Sequence, residues 1–519
     1  MDISLAKRTF ALLLLLAALS ATAPAQKELE TARAALQSGD LGRAEAAART
    51  ALNSSSRADR AVALNILAIC SDQQNKFAEA EAFYRKALIA DPSLIAARNN
   101  LGNLFFKTRR QREAIAQYQI VLRADPAHVE ANLNLGLIYH SANQTALALR
   151  HLEKARAGAL SDARINLALS EIYIDSDQRD KAASILNQFL KSAADDPRAH
   201  FTVGMMLARR NLYEEAAARF LRAAELEPES YESHYNYGLA LFNLNRFEEA
   251  ERALSAAADL KPEIADTHFR LALVYSAIGN QARAIEEFSH AAERDTGNAE
   301  AHFLMGSEYA RQGQMEKAVE HYETAAKISP KTALYLIKLG EACFKLYRYQ
   351  RAEEAYRQAL STGDPARGEL NYLVGYAARA QGNFPEAVAF FKKEIALHPT
   401  HIESLANLGF VLIEMGEFAE AEKYLNEAVR LKPNHVGALY DLGRLMLRQK
   451  RYAESEKSLA RVIALRPDHT QAYYQMFLVY SRTNRAQEAA RSLEVFKKLE
   501  EEDKREREAR DRQQGVSKQ

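Results

Sequence analysis

Residues 402–435 read IESLANLGFVLIEMGEFAEAEKYLNEAVRLKPNH, and this stretch of 34 residues is one complete copy of a unit that recurs along the chain. Leu405, Leu408, Gly409 and Leu412 follow the three-and-four spacing of one helix face. Ala421, Leu425 and Ala428 do the same in a second segment. Pro433 then stops the second helix, since its ring and missing N–H cannot continue the ladder. The unit is a helix, a turn and a second helix.

Outward from this copy the beat is regular. With Ile402 as position 1, Ala421 stands at position 20, and the same place holds Ala80, Ala114, Ala148, Ala182, Ala216, Ala250, Ala284, Ala318, Ala352 and Ala387. Position 8 is small (Gly102, Gly136, Ser170, Gly204, Gly238, Gly306, Gly340, Gly375, Gly409, Gly443), which permits close helix approach. Position 24 is large (Tyr84, Tyr118, Leu152, Phe220, Phe288, Tyr356, Phe391, Leu425) and supplies the volume that positions 8 and 20 withhold. Phe189 and Glu394, at a place where a small residue is usual, and Ser455, at position 20, are local departures.

A fixed period of 34 residues is that of a helix-turn-helix repeat, and the residues quoted from 402–435 resemble the tetratricopeptide repeat family. The resemblance covers about residues 25–503, or about fourteen copies, the first and last being the weakest matches. It implies an all-α fold, a right-handed superhelical α-solenoid in which each unit touches mainly its neighbours. It also implies that binding takes place on the concave surface, lined by first-helix positions 2, 5, 6, 9, 12 and 13.

The expected organisation is a signal peptide over 1–25, the repeat array over 26–503 and a charged tail over 504–519. Lys7 and Arg8 precede an apolar run from Phe10 to Leu19, and Ala23 and Ala25 fit a small-residue cleavage site before Gln26. That pattern predicts export to the periplasm of a Gram-negative-like bacterium, or secretion. The alternative is an uncleaved anchor in the inner membrane, since the run stretches to Ala23; contact with a membrane is expected only in that case. Cys70 and Cys343 lie in first helices eight repeats apart, so no disulfide between them is expected.

Sixty-nine Lys plus Arg against sixty-eight Asp plus Glu leave no global field for polyanions, and nucleic acid is not an expected partner. There is no phosphate-binding Gly-Lys-Ser/Thr loop, no dinucleotide fingerprint and no H-E-x-x-H motif. His398 and His401 flank the repeat-ending Pro399 and read as a linker. No enzymatic activity, metal or cofactor is expected.

The candidate residues therefore lie on first helices. Asn100, Asn134, Asn236 and Asn407 at position 6 resemble the asparagine ladder of the repeats of O-GlcNAc transferases, whose amides capture an extended peptide backbone; no segment here is long enough for a transferase domain. Arg270 and Asp441 are among the residues that interrupt the ladder. Asn99, Asn103, Asn134 and Arg164 partly resemble a carboxylate clamp with two cations missing, and are expected to form a small polar site. His200-Phe201, His234-Tyr235, His268-Phe269 and His302-Phe303 recur at positions 4 and 5. The histidines read as core residues satisfied by a polar neighbour. Phe201, Tyr235, Phe269 and Phe303 form an aromatic stripe for apolar side chains if position 5 faces the concavity, or pack against the adjacent first helix if it does not. The expected function is a non-catalytic scaffold for protein or peptide partners, or else a membrane-tethered assembly factor of an envelope, secretion or pilus complex. Self-association through an imperfect end repeat is left open.

Overall fold

The small residue at position 8 and the large one at position 24 meet in space, and this contact sets the spacing of each helix pair. In the computed structural model, which describes residues 24–363 and 369–513, a Cβ placed on Gly102 would lie 2.7 Å from the Tyr118 ring, and one on Gly204 2.7 Å from the Phe220 ring. Gly136 meets Leu152, Gly306 meets Tyr322, Gly340 meets Tyr356 and Gly443 meets Leu459 in the same way. Ala80, Ala114, Ala284 and Ala421 at position 20 are completely buried beside these contacts. Where position 20 is Ser455, its hydroxyl donates to the Gly443 carbonyl at 2.7 Å, so the polar substitution is satisfied inside the core.

Among the described residues the chain is entirely helical in its regular structure, running from Pro24–Ser38 to Ala486–Gln513 as alternating first and second helices. It forms an α-solenoid of tetratricopeptide-like helix pairs. Two compact units divide it, one ending at Leu244 and the other starting at Asn245. In each, second helices pack mainly on the first helices before and after them. First helices of consecutive repeats also touch one another, in repeats one to six of the N-terminal unit and eleven to fourteen of the C-terminal unit. The first helices are thus the more tightly drawn layer. The segment 1–23, with nearly all of the expected signal peptide, lies outside the described residues, as does 514–519; no described helix is long and apolar enough to cross a membrane.

Each first helix ends in one left-handed residue at position 15. Gly39, Gly279, Gly313, Gly382 and Gly416 fill it in five repeats, and Asn75, Asn143, Asp177, Asn211, Asn245 and Asn484 in six more. A backbone bond from the next residue back to the last turn of the helix, such as Glu417 N–H to Leu412 O at 2.9 Å, closes the motif. Arg109, Tyr347 and Lys450 hold the same conformation with φ of 62°, 59° and 60°, although a left-handed conformation costs an L residue roughly 1–2 kcal/mol. Tyr347 is 79% exposed, so its side chain recovers little of that cost by burial. Tyr347→Gly should raise stability by roughly 0.5–1 kcal/mol, the strain relieved less glycine's larger loss of chain entropy. A rise in the urea midpoint with unchanged slope is the expected reading; a fall would mean that the tyrosine ring holds the turn.

Position 4 closes the turn between repeats. His200, His234 and His268 direct Nε2 at the carbonyls of Ala194, Pro228 and Pro262, at 3.1, 3.0 and 2.9 Å. Asn132, Asn166 and Arg98 donate to the equivalent carbonyls of Pro126, Leu160 and Pro92. Other histidines cap helices: Nδ1 of His128, His401, His435 and His469 accepts a backbone N–H from the first turn of the helix that follows. His398 bonds the fully buried Glu394 at 2.6 Å, so the His398–His401 pair serves the turn. Cys70 and Cys343 are buried free thiols, burial pushing Cys70 up to about 11.

Candidate functional site

Three groups of first-helix side chains are distinguishable. The early polar residues are largely engaged with one another. Asn100 donates to Asn65 at 3.2 Å, and Asn103 accepts from both Tyr118, at 2.7 Å, and Asn134, at 2.9 Å. Asn99 is 5% exposed, and its Oδ1 meets no protein donor among the described residues. Arg164 is held by Asp162 at 2.6 Å and Glu130 at 2.9 Å. These amides stitch successive first helices together, which leaves less of their hydrogen-bonding capacity for a ligand.

Three of the aromatic residues of position 5, Phe201, Phe269 and Phe303, turn toward their own second helices. Phe201 lies 5.6 Å from Phe220, Phe269 5.6 Å from Phe288 and Phe303 5.7 Å from Tyr322, each pairing position 5 with position 24. Phe269 is buried, while Phe201 and Phe303 are half-buried. Phe303 also lies 4.8 Å from Tyr335 on the first helix of the next repeat, and the large position 24 residue reaches the first helix on two sides, at position 8 and at position 5. Tyr235 is half-buried and stacks on Tyr231 at 5.6 Å. Asn236 donates to the Glu232 carbonyl of its own helix at 2.7 Å. Arg270 leans over the Phe269 ring at 5.8 Å, with Asp266 3.4 Å from its Nε.

The third group was not assembled by sequence reasoning. It lies on the first helices of repeats eleven to thirteen, Leu370–Ala380, Ile402–Met415 and Val436–Arg448. Phe410, at position 9, is bracketed by two guanidiniums, Arg379 at 4.5 Å and Arg444 at 5.6 Å from the ring centre. Arg379 donates to Asn407 and also lies over Tyr376 at 5.1 Å. Arg444 pairs with Glu414 at 2.6 Å and with Asp441 at 3.1 Å. Arg448 donates to the Ile413 carbonyl at 3.1 Å.

Asp441 is the group that bears most of the electrostatic cost. The residue is 8% exposed, and burial pushes the pKa of its carboxyl up to about 6, outweighing the attraction of Arg444. A buried carboxylate held by an arginine is weak evidence for stability, and perturbed groups gather at functional sites. The arrangement can offer a ring face, guanidinium donors and a carboxylate acceptor to one extended segment. The sequence signal was available in part, since positions 6, 9, 12 and 13 carry all of these residues. Period alone does not say which of them pair across repeats.

Comparison with known proteins agrees with the fold. Residues 29–95 and 99–163 match one tetratricopeptide repeat model, and 378–434 and 412–478 match another. Residues 149–371 match the model of the C-terminal domain of cilia and flagella-associated protein 70. No curated protein matches the chain. Among solved structures, the chain is similar to YrrB, described as a TPR protein with an unusual peptide-binding site, at 20% identity over 37% of this chain and 97% of that one, TM-score 0.32. It is also similar to the C-terminal part of a TPR repeat-containing protein from Cytophaga hutchinsonii, at 16% identity over 53% and 99% of the two chains, TM-score 0.37. The Cut9-Hcn1 hetero-tetramer structure of the APC/C gives 15% identity over 87% and 95%, TM-score 0.32. None of the matching models belongs to a catalytic family. With two tetratricopeptide models tiling its two ends and helix pairs of that design throughout the described residues, the chain belongs to the tetratricopeptide repeat proteins.

Proposed function

We propose that the chain is a non-catalytic scaffold that captures an extended segment of a partner protein on its first-helix face, with the principal site in repeats eleven to thirteen. The family is one of protein-interaction scaffolds. The observation that carries the reading is the Arg379–Phe410–Arg444 bracket with the buried Asp441 beside it. Arginine and aromatic residues dominate binding energy where they are packed and shielded from water. A carboxylate or backbone carbonyl of the partner is taken by Arg379, which bonds only Asn407 among the described residues, while an apolar side chain lies on the Phe410 ring. The polar residues Asn99, Asn100, Asn103, Asn134 and Arg164, with Tyr235 and Asn236, serve as weaker contacts on the first helices of the N-terminal unit, and Arg270 does so separately in the C-terminal unit.

The test is photo-crosslinking in cells with a benzophenone amino acid at Phe410, against the same probe at the exposed Lys423 of a second helix. Partner capture at 410, absent at 423 and reduced about tenfold or more by Arg379→Ala, is the expected outcome. Equal capture at both places, or indifference to Arg379→Ala, would refute the assignment. The proposed setting is the bacterial envelope, on the strength of the Lys7-Arg8 and Phe10–Leu19 pattern. Whether the mature chain begins at Gln26 separates the exported scaffold from the tethered assembly factor.

A further inference from the structure

His200, His268 and His302, at position 4, differ in what faces them from the second helix. Position 4 meets position 23 of its own repeat, which is Arg219, with Arg222 close by, opposite His200, and His321 opposite His302. Opposite His268 stand Glu287 and His290. Repeat eight, built from Ala265–Ile278 and Gln281–Arg294, is thus the one of these three that brings two imidazoles and a carboxylate together.

Their geometry is that of a ligand set. Glu287 Oε2 lies 2.7 Å from His268 Nδ1 and 3.7 Å from His290 Nδ1, and one ligand atom from each residue falls within 4.8 Å of the others. Adjacent ligands of a tetrahedral zinc ion with bonds of about 2.0–2.1 Å stand about 3.3 Å apart, so small side-chain rotations bring all three into range. His290 is half-exposed and free to make that adjustment, while His268 is 7% exposed and fixed.

Hydrogen bonding fixes the tautomer. His268 Nε2 faces the Pro262 carbonyl at 2.9 Å, and a carbonyl only accepts, so the Nε2 proton is committed there. A neutral His268 then turns its Nδ1 lone pair onto the Glu287 carboxylate, acceptor against acceptor. Either a second proton or a cation must lie between them. A backbone carbonyl that holds the far N–H of a histidine is the usual outer partner of a metal-ligating imidazole, orienting the ring and making it more basic. Arg294 donates to the same Pro262 carbonyl at 2.6 Å and to the His290 carbonyl at 2.9 Å, so a positive charge stands nearby.

We propose that His268, Glu287 and His290 bind one divalent transition-metal ion, with zinc the best match to two imidazoles and a carboxylate, and that the ion ties the two helices of repeat eight together. Three protein ligands leave a fourth position for water or for a donor from a partner. Histidine at position 4 alone did not reveal this set, because the other two ligands lie 19 and 22 residues further along, on the second helix.

The experiment is a titration of the chelator-stripped full chain with Zn2+ against a chromophoric competitor, with Co2+ as the spectroscopic probe. The wild type should bind one ion that Glu287→Gln, His290→Ala and His268→Ala each weaken at least about tenfold. His321→Ala, in the neighbouring repeat, should leave it unchanged. Glu287→Gln keeps the volume of the side chain, so its folded state, checked by circular dichroism, makes the comparison decisive even if His268→Ala fails to fold. Wild-type stoichiometry retained in Glu287→Gln, loss in His321→Ala alone, or no binding by the wild type would each overturn the site and leave His268–Glu287 an ordinary ion pair.

Discussion

Replacing Phe391 with alanine should lower the stability of the C-terminal unit by about 3–5 kcal/mol, the usual range for deleting a buried aromatic ring. Phe391 is completely buried at position 24 of repeat eleven, and a Cβ on Gly375 would stand 2.9 Å from its ring. Its core also includes Ala387, Leu405 and Leu408, so the void opens at a junction between two repeats, where it cannot readily collapse. Stability in a stack of repeats is a sum of repeat and interface terms, so urea unfolding followed by circular dichroism should broaden or split as repeats on either side of the defect uncouple.

A second substitution makes the contact testable as a pair. In the wild type Gly375→Ala should destabilise, since the new methyl meets the ring below any comfortable distance. In the Phe391→Ala background the same change should stabilise by up to about 1 kcal/mol, the helix propensity of alanine over glycine. Additive effects of the two changes would show that position 8 is small for a reason other than the ring at position 24.

The helix pairs, their turns and their core were legible because packing repeats every 34 residues: Gly409 and Leu425 announce the same contact as Gly102 and Tyr118. The left-handed residue at position 15 was overlooked although Asn and Gly fill it in most repeats, because Arg109, Tyr347 and Lys450 blur the pattern. The candidate sites were harder to read for a different reason. Asn100 and Asn134 stand on the expected face, yet their amides are spent on Asn65 and Asn103, partners 35 and 31 residues away. Phe269 meets Phe288 on its own second helix, a direction beyond the two, concavity and adjacent first helix, that helical spacing left open. Asp441 was visible only as an interruption of a ladder; its pairing with Arg444 lies within one helix, but the approach of Glu414 to Arg444 depends on how two repeats are set against each other.

Asp441→Asn should stabilise the fold at pH 8 while weakening partner capture. The ordinary pKa of the carboxyl is 3.8, and in the fold it is pushed up to about 6 by burial. Between these values the native state holds a proton that the unfolded chain has released. The contribution of this group to stability is therefore complete below about pH 4 and is lost as pH rises through about 6. A displacement of about two units is worth about 3 kcal/mol at alkaline pH, part of which Arg444 must continue to return to an asparagine oxygen. The net gain expected for Asp441→Asn is roughly 1–3 kcal/mol at pH 8, vanishing near pH 4. Arg444→Met should act in the opposite direction, by about 3–5 kcal/mol, because it leaves the buried carboxylate without its cation. Unfolding free energies of the three proteins across pH 4–8 test both signs. If Asp441→Asn destabilises equally at both ends, the carboxylate is a structural partner of Arg444 and nothing more. If it stabilises at pH 8 and crosslinking from position 410 falls, the chain keeps a costly buried charge on its first-helix face for the sake of what binds there.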